Sequence, residues 1–93
     1  MVVKKKTFKI ANTIKAMSHP ARLQILEDLI PAKDGFNVST IQKLLKIPQS
    51  AVSQHLSLLK TSGILDSRRN GVEIFYYIKD EKTKELIEHI LSL

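Results

Sequence analysis

Between Pro48 and Thr61 the chain reads Pro-Gln-Ser-Ala-Val-Ser-Gln-His-Leu-Ser-Leu-Leu-Lys-Thr, and this stretch restricts the fold and its use more than any other. At about 100° per residue, Val52, Leu56 and Leu59 stack along one side of a helix. Ser50, Ser53, Gln54, Ser57 and Thr61 gather on the opposite side. A merely solvated helix face is usually rich in Lys and Glu, which keep good helix propensity. This face instead carries short side chains that donate and accept hydrogen bonds, and no acid. Such a surface can approach a partner closely, and Gln and Ser hold the groups needed to read base edges in a major groove. A plain surface helix is the alternative that this stretch by itself leaves open.

The charge pattern bears on that choice. The net charge is +6, yet no acidic residue lies between Gly35 and Leu65, where Lys43, Lys46 and Lys60 fall. The first 26 residues also lack acids and carry Lys4, Lys5, Lys6, Lys9, Lys15 and Arg22. Acids gather at Glu27, Asp28 and Asp34 and again from Asp66 onward. A polar helix in a region cleared of negative charge suits a polyanion, against the alternative of ordinary lysine-rich solubility.

With 93 residues the chain is expected to form a single domain over 1–93, small enough to gain stability by dimerising. It has no cysteine, which removes disulfides, thiolate metal sites and cysteine redox switches. No apolar run approaches membrane-spanning length, and Met1 to Lys9 has lysines without an apolar segment behind them. A cytoplasmic protein with no membrane partner is expected. No nucleophile–base pair, metal motif or phosphate loop points to an enzyme.

Taken in order, residues 7–17 read as a first helix with Ile10, Ala11, Ile14 and Met17 at helical spacing and Thr7 as N-cap. The lysines before it read as a frayed arm. Ser18-His19-Pro20 breaks that helix, and Pro20 suits the first turn of the next. Helix two, Ala21 to Ile30, is apolar around most of its circumference and should be the most buried. Phe36 and Val38 alternate around Asn37, enough for a very short strand. Ser39 and Gln42 resemble a capping box opening helix three, with Ile41, Leu44 and Leu45 inward. Lys46-Ile47-Pro48 turns tightly into the 48–61 helix, which Gly63 stops. Two short helices joined by such a turn, the second with a polar outer stripe, form a helix-turn-helix pattern.

Ile64 to Arg68 and Val72 to Ile78 are β-rich, and Asn70-Gly71 between them is a strong hairpin signal. With those two as the loop, Arg69 faces Val72 and Arg68 faces Glu73. Arg68 is then partly engaged in a cross-strand ion pair, leaving Arg69 and Asn70 freer at the tip. Phe75, Tyr76 and Tyr77 read as strand core rather than as a stacking platform for single-stranded nucleic acid. Asp80 caps a final helix whose Leu86, Ile87, Ile90, Leu91 and Leu93 make an apolar stripe, expected to meet a two-fold copy.

The order is that of a winged helix: mainly α with a small β-hairpin, α-α-α-α-β-β-α with a short strand before helix three. The run Met17-Ser18-His19-Pro20-Ala21-Arg22-Leu23-Gln24-Ile25-Leu26, the stretch Pro48 to Leu59, and Gly63-Ile64-Leu65 with the wing Gly71 to Tyr77 together resemble the ArsR/SmtB-type transcriptional repressors, over roughly Ile10 to Leu93. The resemblance implies a homodimer on double-stranded operator DNA, its interface made by helices 7–17 and 80–93. Ile10, Ile14, Leu86, Ile87, Ile90 and Leu91 are the expected interface residues. It implies helix 48–61 in the major groove and the wing, 68–72, near the minor groove. Carried over by position, Gln49, Ser50, Ser53 and Gln54 would read bases. His55, at the edge of the core stripe, would pack or bond phosphate. Ser57 and Lys60 would contact the backbone, and Arg68, Arg69 and Asn70 would form the wing contact.

Members of this family are commonly switched by metals or thiol oxidation, and here the chain departs from the pattern. Cysteine ligand pairs are absent, and Asp80 is followed two residues on by Lys82 where zinc-type sensors have Asp-x-His. No metal or cofactor is therefore expected. Glu85 and His89, at i and i+4, could with a two-fold copy offer zinc four N/O ligands, but pairs at that spacing are usually solvated. His19, before a helix, reads as a capping or packing residue. Three readings follow: a metal-independent repressor dimer, a ligand-switched repressor with an atypical site, and a protein-interaction antagonist that keeps the fold without DNA binding.

Overall fold

Every fully buried side chain is apolar, and α2 and α4 supply half of the twelve. The computed structural model describes residues 1–93. In chain order its elements are α1 (Lys5–Met17), α2 (Pro20–Leu29), β1 (Phe36–Asn37), α3 (Val38–Leu45), α4 (Gln49–Thr61), β2 (Leu65–Asn70), β3 (Glu73–Ile78) and α5 (Glu81–Leu91). This is the expected order, short strand included. No helix is long and apolar enough to cross a membrane.

Helix α1 starts two residues before the expected Thr7 cap. Its N-cap is Lys4, which makes no side-chain capping bond, and Lys5 and Lys6 form the first turn rather than a frayed arm. Lysine propagates a helix well once it has begun. Only Ala16 and Met17, at the C-terminal end, are buried. Helix α2 opens on His19, whose Nδ1 accepts the Ala21 N–H at 3.0 Å, with Pro20 in the first turn. Ile25, Leu26 and Leu29 then enter the centre of the core, as a helix apolar on most sides requires.

Two expectations for α3 need correction. The cap is Asn37, not Ser39: its Oδ1 accepts the Thr40 N–H at 2.9 Å. Asn ranks with Ser as an N-cap, and pairing of Asn37 with β3 brings the start of the helix forward. Ile41 is buried and Leu45 packs on the core, but Leu44 is 51% exposed. Lys46 closes α3 in the left-handed conformation, φ 57°, turning the chain within three residues into α4.

On α4, Val52, Leu56 and Leu59 are fully buried, as their spacing predicts. Its end has the paired bonds of a Schellman motif. The Ile64 N–H donates to Leu59 O and the Gly63 N–H to Lys60 O, both at 3.0 Å, with Gly63 at φ +78°.

The sheet order is β1-β3-β2, all antiparallel. The hairpin register differs from the expected one by two residues: Asn70 pairs with Glu73, Arg69 with Ile74 and Arg68 with Phe75. The turn is Gly71-Val72, with positive φ at Gly71 only, the demand of a type II′ rather than a type I′ turn. A two-residue slip keeps every side chain on its own face, so alternation cannot choose between these registers. The buried base of the hairpin does, where Leu65 pairs with Ile78 against the core. Of the three aromatics, Tyr76 packs on the core, while Phe75 and Tyr77 lie on the other face.

Asp80 caps α5 as expected, its Oδ1 accepting the Thr83 N–H at 2.8 Å, and that bond holds the carboxyl below its usual range. The apolar stripe of α5 is wide enough to divide. Ile87 is fully buried within one chain, and Leu91 packs on the same core, so Ile87 is not the surface residue it was expected to be. Leu86 is exposed, and Ile90 lies at the border.

Candidate nucleic-acid interface

The polar stripe of α4 is open to solvent along its length. Gln49, Ser50, Ser53, Gln54, Ser57, Lys60 and Thr61 are all exposed, and the first turn holds no acid. Pro48 precedes it without a capping side chain, and its carbonyl accepts from Ala51 and Val52, so the N–H groups of Gln49 and Ser50 stay free for an acceptor. Two hollows lie on or near the helix. One is lined by Ser53, Gln54, Ser57, Leu58, Thr61 and Ser62. The other, beside the α3–α4 turn, is lined by Ser39, Gln42, Lys43, Lys46, Ile47 and Pro48.

Three residues on this surface escape a reading of spacing alone. Leu58 is 42% exposed next to Gln54 and Ser57, an apolar contact amid hydroxyls. Lys43 and Lys46 stand with Ser39 beside the N-terminal end of α4, a basic edge for which the acid-free stretch was the only signal.

Lys60 is exposed and already tethered, its Nζ donating to Ser67 Oγ on β2 at 2.7 Å. In the wing, Arg69, Asn70, Gly71 and Val72 are exposed at the tip. Arg68 has a different role from the ion pair with Glu73 that the expected register implied. Its guanidinium lies over the rings of Phe75 and Tyr77. Glu73 instead accepts from Asn37 Nδ2 at 2.9 Å. One amide, Asn37, therefore caps α3 and ties the wing to it.

His55 turns from the polar stripe towards the corner between α1 and α2. Its Nδ1 lies 3.3 Å from Arg22 Nη1, and its ring centre 4.7 Å from that of His19. Burial first, then the charges of His19 and Arg22, lowers its pKa. His55 thus faces a guanidinium and a second imidazole rather than a carboxylate, an arrangement that favours its neutral form.

Across the molecule, α1 and α5 leave a groove of about 410 Å³ lined by Ile10, Thr13, Ile14, Met17, Leu86 and Ile90. Four of the expected interface residues, Ile10, Ile14, Leu86 and Ile90, meet there; Ile87 and Leu91 do not. Glu85 and His89 are exposed on α5. Within one chain no three His, Asp or Glu side chains come together in a way that could hold a metal ion.

Comparison with known proteins adds four observations. Residues 17–68 match the model of a family described as a helix-turn-helix domain. The chain is 32% identical over 91 residues to the biofilm growth-associated repressor of Xylella fastidiosa, covering 98% of this chain and 78% of that protein. Among solved structures, HlyU of Vibrio cholerae superposes with a TM-score of 0.86 at 31% identity, over 97% of this chain and 96% of that one. The homodimeric winged helix-turn-helix DNA-binding domain of a possible ArsR-family regulator from Mycobacterium bovis does so with a TM-score of 0.84 at 27% identity, over 91% and 77%.

Proposed function

The chain belongs to the ArsR/SmtB-type winged helix-turn-helix regulators, and from that membership we propose that it is a homodimeric repressor that reads an inverted repeat in double-stranded DNA. The observation that carries this reading is the exposed face of α4, polar along its length and bordered by lysines without an acid. Gln49, Ser50, Ser53 and Gln54 read base edges, since Gln and Ser match the donor and acceptor pattern of the major groove. Ser57, Lys60, Lys43 and Lys46 contact phosphate and set register without carrying sequence information. Arg69 and Asn70 reach the backbone near the minor groove.

The apolar groove between α1 and α5 is covered by the same groove of a second copy, in a two-fold interface. Two α4 helices are thereby presented to half-sites about one helical turn, ~34 Å, apart. The protein acts in the cytoplasm by occupying its operator and has no catalytic role. It binds as protein alone, without a metal.

Titration of the chelator-treated protein against a labelled random-sequence duplex, over a range of salt concentrations, tests the proposal. The expected result is binding whose affinity falls linearly with salt on a log–log plot, by about 0.9 for each phosphate neutralised. A protein that ignores duplex DNA at low salt would sink the reading in favour of a protein-interaction module.

A further inference from the structure

Ala16, in the last turn of α1, is buried. In a continuing helix its carbonyl would accept from the residue four positions on, but that residue is Pro20, which has no N–H. The amides between are engaged elsewhere: Ser18 donates to Lys15 O at 3.1 Å and His19 to Met17 O at 2.9 Å. The side chain of Arg22 takes the carbonyl instead, Nε donating to Ala16 O at 2.6 Å. Another edge of the same guanidinium, Nη1, lies 3.3 Å from His55 Nδ1. One side chain rooted on α2 therefore joins the end of α1 to α4.

The location matters because of how α1 is held. Only its last two residues are buried, and the helix extends away from that point. Arg22 binds the turn at that buried end, where α1 joins α2. His55 is next to Gln54 in sequence, so a shift at His55 carries the reading face with it. Guanidinium suits this place. It is planar, permanently charged and able to donate from separate edges, whereas lysine has a single nitrogen, which cannot stand in the places of both Nε and Nη1.

We propose that Arg22 is a positioning residue for operator recognition: it fixes the angle between α1, through which two copies associate, and α4, which reads each half-site. It thereby sets the half-site spacing that the dimer accepts. This rests on the DNA reading proposed above. The consequence is specific to a dimer, because a small rotation of each α4 about the pivot changes the separation of the two reading helices. Recognition of one half-site is left intact.

The test uses the full chain, with the inverted-repeat duplex that it selects from a random pool and versions of that duplex lengthened or shortened at the centre. The wild type is expected to prefer the selected spacing to both the lengthened and the shortened versions. Arg22→Lys and Arg22→Met should remain dimers by sedimentation and hold an unrelated duplex within about twofold of the wild type, yet lose most of the spacing preference. A dimeric Arg22→Lys with undiminished preference overturns the proposal. His55→Leu removes only the α4 limb and leaves Arg22 on Ala16, so it serves even if the Arg22 variants do not fold. It too should lose the preference. Weaker binding at every spacing, with the preference intact, would make His55 a plain DNA contact and overturn the clasp. A wild type that enriches no duplex would remove the underlying DNA reading and the proposal with it. That failure is distinct from a wild type and variant that discriminate spacing equally.

Discussion

The guanidinium carbon of Arg68 stands 5.3 Å from the centre of the Phe75 ring, its partner across the hairpin, and 5.8 Å from that of Tyr77. A cation over an aromatic face is attracted by the ring's quadrupole, so Arg68 is held along one face of the wing. Successive strand residues point to opposite faces. Arg69 therefore turns away from those rings, and it is the arginine proposed to reach phosphate.

Arg69→Ala should weaken binding to every duplex alike and lower the log–log salt slope by about 0.9 per lost phosphate contact. Arg68→Ala should change the slope less. Measuring affinity at four or five salt concentrations for both variants decides the matter; an unchanged slope in Arg69→Ala would take the wing tip off the contact surface.

Gln54 lies in the middle of the exposed stripe, without an intramolecular hydrogen-bond partner that would have to be given up. Gln54→Ala should cost about 1–3 kcal/mol on the preferred site and little on random DNA. Competition of the two duplexes for the variant gives both numbers, and equal losses would contradict a base-reading role.

Ile14 is 56% exposed in the groove between α1 and α5. Ile14→Asp should split the dimer, because a carboxylate sealed in an apolar interface goes unpaired, and operator binding should fall with it. Ile14 is a better probe than Ile87, whose replacement would damage the core of each chain. Light scattering that finds a stable mutant dimer would argue against this interface.

Burial, followed by the charges of His19 and Arg22, holds the His55 imidazole below its ordinary pKa. The unfolded chain thus takes up the proton first. The stability contributed by neutral His55 is complete above about pH 6.5, declines as pH falls towards the folded-state value, and levels off below it. The denaturant midpoint should drop between about pH 7 and pH 5, and His55→Leu should remove that part of the drop. An identical decline in the variant would assign the effect to other groups.

Much of this was legible in the sequence because periodicity reports on faces. The buried stripe of Val52, Leu56 and Leu59 and the open stripe opposite follow from spacing alone. The order of elements follows from punctuation at Pro20, Gly63 and Gly71. Periodicity says nothing of register or of sharing between surfaces. The hairpin slipped by two residues with every face unchanged. The α5 stripe read as one surface, although Ile87 and Leu91 serve the core and Leu86 the outside. Asn37 and Arg22 were missed for a related reason: each bridges elements that meet only in three dimensions. A trace of the second was available, since Pro20 four residues after Ala16 leaves a carbonyl in need of a partner from outside the helix.

The most direct test of the central claim is selection of bound fragments from a random duplex pool by the purified, metal-free protein, with Gln54→Ala in parallel. The wild type is expected to enrich an inverted repeat with half-sites about one helical turn apart, and the variant to lose that enrichment. Failure of the wild type to enrich any sequence, or equal enrichment by the variant, would contradict a dimer that reads DNA through α4.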